Sequence, residues 1–250
     1  MALDPDLTAL RPLGGFFALR TLPEGARPPG QLLTEVYGTA APGVQPDAVD
    51  AVDALDARVA LIGDRLRTTE PRVRASIAHQ GLAARLWSPA LACAALYGEV
   101  PDLAPLHWDA TASAPDDLWL TGVRPLPGDA DTLADAVLRA HLEPLGDTLR
   151  ARYGIAAGLL WGNAASALVG AARQLDHWAR ANGRTDVAER AAALTDALFA
   201  RPPLRDTGVR AGTGFRRRSC CLYYRVPGGG VCGDCCFTRV PGSSPRAASG

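Results

Sequence analysis

Cys220 and Cys221 stand side by side, ten residues follow, and Cys232-Gly233-Asp234-Cys235 completes the spacing, with Cys236 immediately after. Five of the six cysteines therefore fall in one short segment. The chain starts Met1-Ala2-Leu3-Asp4-Pro5-Asp6, without the basic stretch and apolar run of a secretory signal, so a reducing, cytoplasmic setting is expected. There, a cysteine cluster points to metal or redox chemistry before disulfides. Pro227-Gly228-Gly229-Gly230 can reverse the chain between the two cysteine pairs, and Gly233 lets the second loop tighten so that peptide N–H groups point at sulfur. Structural zinc usually takes both ligand pairs from Cys-x-x-Cys turns, because one metal atom needs two sulfurs converging from one turn. Adjacent cysteines diverge, which the wider footprint of a 2Fe-2S rhomb tolerates better. On spacing alone the order of preference is an iron–sulfur cluster, then zinc, then disulfides or isolated thiols. Cys93 lies in an Ala-rich helical run and is expected to be an ordinary core thiol.

The formal net charge is zero, which argues against a nucleic-acid partner. The charge is unevenly spread, since from Arg201 to Gly250 nine arginines face only Asp206 and Asp234. Every basic residue is Arg and alanine is abundant, a compositional bias that weakens any single arginine as a signal. Arg216, Arg217, Arg218 and Arg225 nonetheless flank the cysteines. A four-thiolate 2Fe-2S centre carries about two negative charges when oxidised and gains another on reduction, so neighbouring cations favour the reduced form. The plainer reading of these arginines is a solvated basic loop. His79, His107, His141 and His177 lack metal-ligand spacing, and no phosphate-binding glycine loop, nucleotide fingerprint or Ser-His-Asp set is visible, so electrons must come from a separate donor.

The Cys-Cys-x10-Cys-x2-Cys skeleton, with Tyr223-Tyr224-Arg225, the Pro-Gly-Gly-Gly turn and Cys232-Gly233-Asp234-Cys235, resembles the C-terminal 2Fe-2S motif of the FhuF-type ferric-siderophore reductases. Upstream, Leu160-Trp161-Gly162-Asn163-Ala164-Ala165-Ser166 and Gln80-Gly81-Leu82-Ala83-Ala84-Arg85-Leu86 are similar to recurring segments of the same family. The resemblance implies a 2Fe-2S cluster on Cys220, Cys221, Cys232 and Cys235. Cys236 departs from the family pattern and is expected to be a small buried side chain. The resemblance further implies one-electron transfer to ferric iron bound by a siderophore and release of Fe(II) in the cytoplasm; the separate donor is of a kind the sequence does not fix, a ferredoxin-like protein being one candidate. It is compatible with peripheral association at the inner face of the cell membrane. A ferric siderophore would sit near the cluster, in a cleft including Trp161-Gly162-Asn163. The competing reading is a non-catalytic iron–sulfur or zinc sensor or adaptor on a helical scaffold.

The scaffold reads as mainly α, a helical domain with a short β-hairpin and a small C-terminal Cys-rich module. Residues 1–45, rich in Pro and Gly, read as a poorly defined lead-in; 46–205 as the helical domain; 206–240 as the 2Fe-2S module; and 241–250 as a disordered tail. Apolar periodicity predicts helices from Asp47 to Arg67, from Pro71 to a break at Pro89 with resumption over Ala90–Tyr97, and from Ala157 to Ala181 ended by Asn182-Gly183. Asp131 is expected to cap a helix kinked or ended at Pro144, and an Asp186-x-x-Glu189 capping box to open the last helix. Leu106–Trp108 and Leu118–Leu120 give the only β signal, a hairpin. The uncharged stretch between Arg152 and Arg173 approaches the length of a bilayer span, but its Ala, Gly, Asn163 and Ser166 fit a buried helix better.

Overall fold

Pro71 occupies the first turn of a helix, where its missing N–H removes no hydrogen bond, and the chain stays helical through Tyr97. The computed structural model describes residues 3–4, 6–38 and 48–241, the side chains of 48–53 excepted. Among the described residues a 3-10 turn at Thr8–Leu13 and two short strands come before the short helix α1 (Leu33–Val36), which is followed by α2 (Ala48–Leu66) and α3 (Pro71–Tyr97). From Arg85 to Tyr97 every residue of α3 is buried, so this half of the helix has no solvent face and must be wrapped by other elements. The elements packed on α3 include α2, α6 (Ala157–Ala181), α7 (Thr185–Phe199) and the strand Glu99–Pro101. Pro89 was expected to break α3 and does not. An interior proline costs about 3 kcal/mol, and burial of the apolar residues on both sides of it offsets that.

Between β6 (Pro125–Pro127) and α6 lie α4 (Ala130–Leu133), a π-helical stretch Ala134–Leu142 and α5 (Glu143–Tyr153). Pro144 lies in the first turn of α5, where the π-helical stretch ends at Leu142 and α-helix continues to Tyr153. Asp129, not Asp131, caps α4, its carboxylate accepting from the Thr132 N–H at 2.8 Å, while Asp131 pairs with Arg201. The capping box at α7 does not form: the helix starts at Thr185 with no side-chain cap, and Asp186 pairs with Arg184 at 2.9 Å. The stretch between Arg152 and Arg173 is the buried helix expected, with Ala164, Ala165 and Leu168 in the core. Among the described residues no helix is long and apolar enough to cross a membrane.

The expected hairpin is present as β4 (Leu106–Trp108) antiparallel to β5 (Leu118–Thr121), with Trp108 opposite Leu118. It belongs to a larger sheet. β1 (Arg20–Leu22) runs parallel to β5, and β2 (Gln31–Leu32) antiparallel to β4, giving the order β1-β5-β4-β2. β3 (Glu99–Pro101) pairs with β6, and β7 (Gly208–Ala211) with β8 (Gly214–Arg217). The loose lead-in is thereby corrected for residues 6–38: Leu7, Leu10, Leu13, Phe17 and Leu33 are buried in the common core. Strands of two to four residues are too short to show an alternating pattern, which is why only the hairpin was legible. The tail expected beyond 241 lies outside the described residues, as does Asp47.

Candidate metal centre

All five cysteines of the C-terminal segment are free thiols, and turns bring them together. The Cys235 N–H donates to the Cys232 carbonyl at 3.1 Å, closing the Cys-x-x-Cys turn. Gly229 lets the reversal before it close, since a Cβ there would lie 2.5 Å from the Tyr223 carbonyl oxygen. The Cys221 and Cys232 Sγ atoms are 3.5 Å apart, and Cys220 and Cys236 are in hydrogen-bonding contact. Cys236 is half-buried, in place of the buried side chain expected, whereas Cys93 is the core thiol expected, its pKa pushed up by burial. Backbone N–H groups point at sulfur: Leu222 donates to Cys220 Sγ at 3.3 Å and Phe237 to Cys235 Sγ at 3.4 Å. Cys221 is lowered to about 7, chiefly by its hydrogen bond with Cys232, which is raised by the same bond. Burial raises Cys220 and Cys236. Among the described residues no three His, Cys, Asp or Glu side chains are grouped tightly enough to hold a single metal ion.

The alternation of β8 buries Phe215 and Arg217 and exposes Gly214 and Arg216. Arg217, read from sequence as part of a solvated basic loop, is 1% exposed. Its Nη2 donates to Asn163 Oδ1 at 2.6 Å and to the Leu159 carbonyl at 3.2 Å, while Nε and Nη1 have no hydrogen-bond acceptor. Among the described residues no carboxylate pairs with it. An isolated buried cation costs several kcal/mol, so the negative charge it answers must come from the sulfurs beside it. It lies close enough to act on Cys220, Cys221, Cys232 and Cys236, favouring their thiolates. Free thiols, N–H groups aimed at sulfur and an otherwise unanswered buried cation fit an anionic thiolate-ligated cluster.

A polar ladder seats this segment on α3 and α6. The Ser76 hydroxyl donates to the Cys221 carbonyl at 2.8 Å, and Asn163 Nδ2 donates to the Ser76 carbonyl at 2.8 Å. The Arg217 N–H donates to the Asp234 carbonyl at 3.0 Å, the Ser166 hydroxyl to Asp234 Oδ2 at 2.5 Å, and Arg173 pairs with Oδ1 at 3.3 Å. Gly162 permits the close approach, because a Cβ there would come within 2.2 Å of Ser219 Oγ. Gly162 and Asn163 thus lie beneath the cysteine segment and do not form the cleft expected of them.

Residues 217–237 match the family model of the FhuF 2Fe-2S C-terminal domain. Over these residues the chain is similar to a FhuF-type 2Fe-2S domain. The cofactor of the chain is accordingly a 2Fe-2S cluster, and the body that carries it is mainly α. No curated protein matches the chain. The two upstream segments that resemble the family lie outside the matched residues, yet Asn163 and Ser166 of one touch the FhuF-type domain directly. Tyr224 packs edge-on against Phe237 with ring centroids 5.8 Å apart. Ser76, the engagement of Asp234 and the burial of Arg217 are not visible in the sequence; the available signal was Asn163 and Ser166 as polar residues in the uncharged first part of α6. His79 is buried, with Nδ1 unpaired and its pKa lowered to about 3 by burial and then by Arg217.

Proposed function

We propose that this protein passes one electron to ferric iron held by a siderophore, freeing Fe(II) in the cytoplasm. The observation that carries the reading is the FhuF-type match over residues 217–237. The cluster, when bound, supplies the one-electron chemistry. Siderophore oxygens are hard donors that suit Fe(III) better than Fe(II), so a single electron loosens the chelate. Cys220, Cys221, Cys232 and Cys235 hold the cluster, the last chosen over Cys236 because it keeps the Cys-x-x-Cys spacing. Arg217 offsets the negative charge added on reduction. A separate one-electron donor of the ferredoxin class balances each electron delivered. Exposed Phe237 and Val240 beside exposed Arg216 and Arg239 favour an acidic donor surface.

Chemically reduced protein, kept anaerobic, should be reoxidised by a ferric trihydroxamate or tris-catecholate, with one Fe(II) trapped by a ferrous chelator for each electron lost. A protein that stays reduced in the presence of both chelates overturns the reading and leaves a sensor or adaptor in its place.

A further inference from the structure

Beside the FhuF-type domain, residues 14–17, α3 and α6 enclose an open cleft of about 530 Å3, within the range of small-ligand sites. One residue of the cysteine segment reaches its wall: Asp234, between Cys232 and Cys235. Both carboxylate oxygens of Asp234 are engaged, one by Ser166 and the other by Arg173, so this part of the wall is fixed to α6. The opposite wall is fixed as well. Arg85 Nη1 donates to the Gly15 and Phe16 carbonyls at 3.1 and 2.5 Å, and its Nε to Asp117 at 2.9 Å, in a buried ion pair. Gln80 and Gln174 add amide donors and acceptors, and Phe16, 49% exposed, adds an aromatic edge. A second cleft of about 420 Å3, lined by Arg180, Ala192 and Arg210 among others, takes no residue from 220–236.

We propose that the cleft at Asp234 is where the ferric chelate docks, an assignment that rests on the reductase reading above. The oxygen-rich periphery of the chelate meets Gln80, Arg173 and Gln174, its apolar edge meets Phe16, and its iron lies against the Cys232–Cys235 turn. That turn offers the shortest covalent path from the cleft to cysteine sulfur. One electron crosses to Fe(III), giving Fe(II) and the oxidised protein, and no bond is made to the chelate.

Gallium(III) trihydroxamate and gallium(III) tris-catecholate, which cannot be reduced under these conditions, probe binding to the cluster-loaded protein by calorimetry. A Cβ at Gly170 meets no atom within 4 Å, so the ring of Gly170→Phe has room to enter the cleft. That variant is expected to bind the gallium chelate preferred by the wild type at least tenfold more weakly. Its iron and sulfide content and visible spectrum should be unchanged, and its reoxidation by the matching ferric chelate should slow by a similar factor. Ala192→Phe, in the second cleft, is expected to change neither binding nor rate. Should Gly170→Phe lose its cluster, the milder Gln80→Ala/Gln174→Ala variant is expected to show a several-fold loss of affinity. Unchanged affinity in Gly170→Phe or in the double variant, or loss in Ala192→Phe, overturns the site while the reductase reading stands. A wild type that neither binds a gallium chelate nor is reoxidised by a ferric one overturns both.

Discussion

Around α3, cohesion comes from apolar burial on every side, whereas residues 218–236 contain neither strand nor α-helix and bury little beyond Cys221, Val226 and Asp234. The cysteine segment is held instead by a handful of polar contacts from Ser76, Asn163, Ser166 and Arg217. The body can lose a methylene and keep its shape, because many contacts share the load. The segment has few contacts to share, and the bound cluster must contribute much of what holds it closed.

The largest separation of the two regions is expected from the cysteines. Serine at Cys220, Cys221, Cys232 or Cys235 should abolish the visible absorption of the cluster and open the segment to proteolysis, while the helical circular dichroism persists. Cys93→Ser should leave the cluster intact. Cys236→Ser tests the fourth ligand, given the contact between Cys236 and Cys220: retention of the cluster there, with loss in Cys235→Ser, supports Cys235. Cooperative collapse of the helices on removing the metal would erase the contrast between the regions.

The next effect lies wholly in the body. Arg85→Ala leaves the buried Asp117 carboxylate only the longer contact with Arg58 at 4.0 Å and should cost about 3 kcal/mol in chemical denaturation. A loss below 1 kcal/mol would mean that water reaches this pair.

His141 gives the body a pH signature. It is buried between the Tyr37 hydroxyl and the Leu103 carbonyl, and burial lowers its pKa to about 4. The unfolded chain takes up that proton near pH 6.5 and the folded one only near 4, so the stabilisation is full above 6.5 and declines as pH falls through this window. The slope contributed is about 1.4 kcal/mol per pH unit. His141→Gln should reduce the slope of urea midpoints compared at pH 7, 6 and 5, with buried His79 contributing a similar slope that remains, and an unchanged slope would contradict the assignment.

The smallest effects distinguish buried from exposed charge within the cysteine segment. Neutralising exposed Arg216 and Arg218 should shift the potential by tens of millivolts at most, since each screened interaction amounts to about 1 kcal/mol or less and about 59 mV is tenfold for one electron. Arg217→Met should make reduction harder by more than those two together, and Arg217→Lys should recover part of the shift. Equal shifts in a potentiometric titration would show that burial of Arg217 has no electrostatic consequence.

The contrast also explains what was legible in the sequence. Helices such as α2 and α6 announce themselves through local periodicity, and the cysteines through local spacing. β1 and β2 are two or three residues long and exist through partners in the Leu106–Thr121 hairpin, so no local pattern could reveal them. Arg217 looks like its neighbours in a basic run; its burial depends on the β7–β8 pairing and on an acceptor at Asn163, both remote from a local reading. Pro89 misled because its local cost is real and the surrounding packing overrides it. Asp234 is plainly visible between two cysteines, but its engagement by Ser166 and Arg173 arises only when the segment lies on α6.

The bond from Ser76 to the Cys221 carbonyl joins residues 145 apart in the chain. During synthesis, α3 and α6 are both complete before Cys220 is made, so the body can close first and offer Ser76, Asn163 and Ser166 as a finished seat. The order of manufacture then matches the order of need. The cysteines are made after the helices that seat them, so a cradle can stand before iron and sulfide are needed.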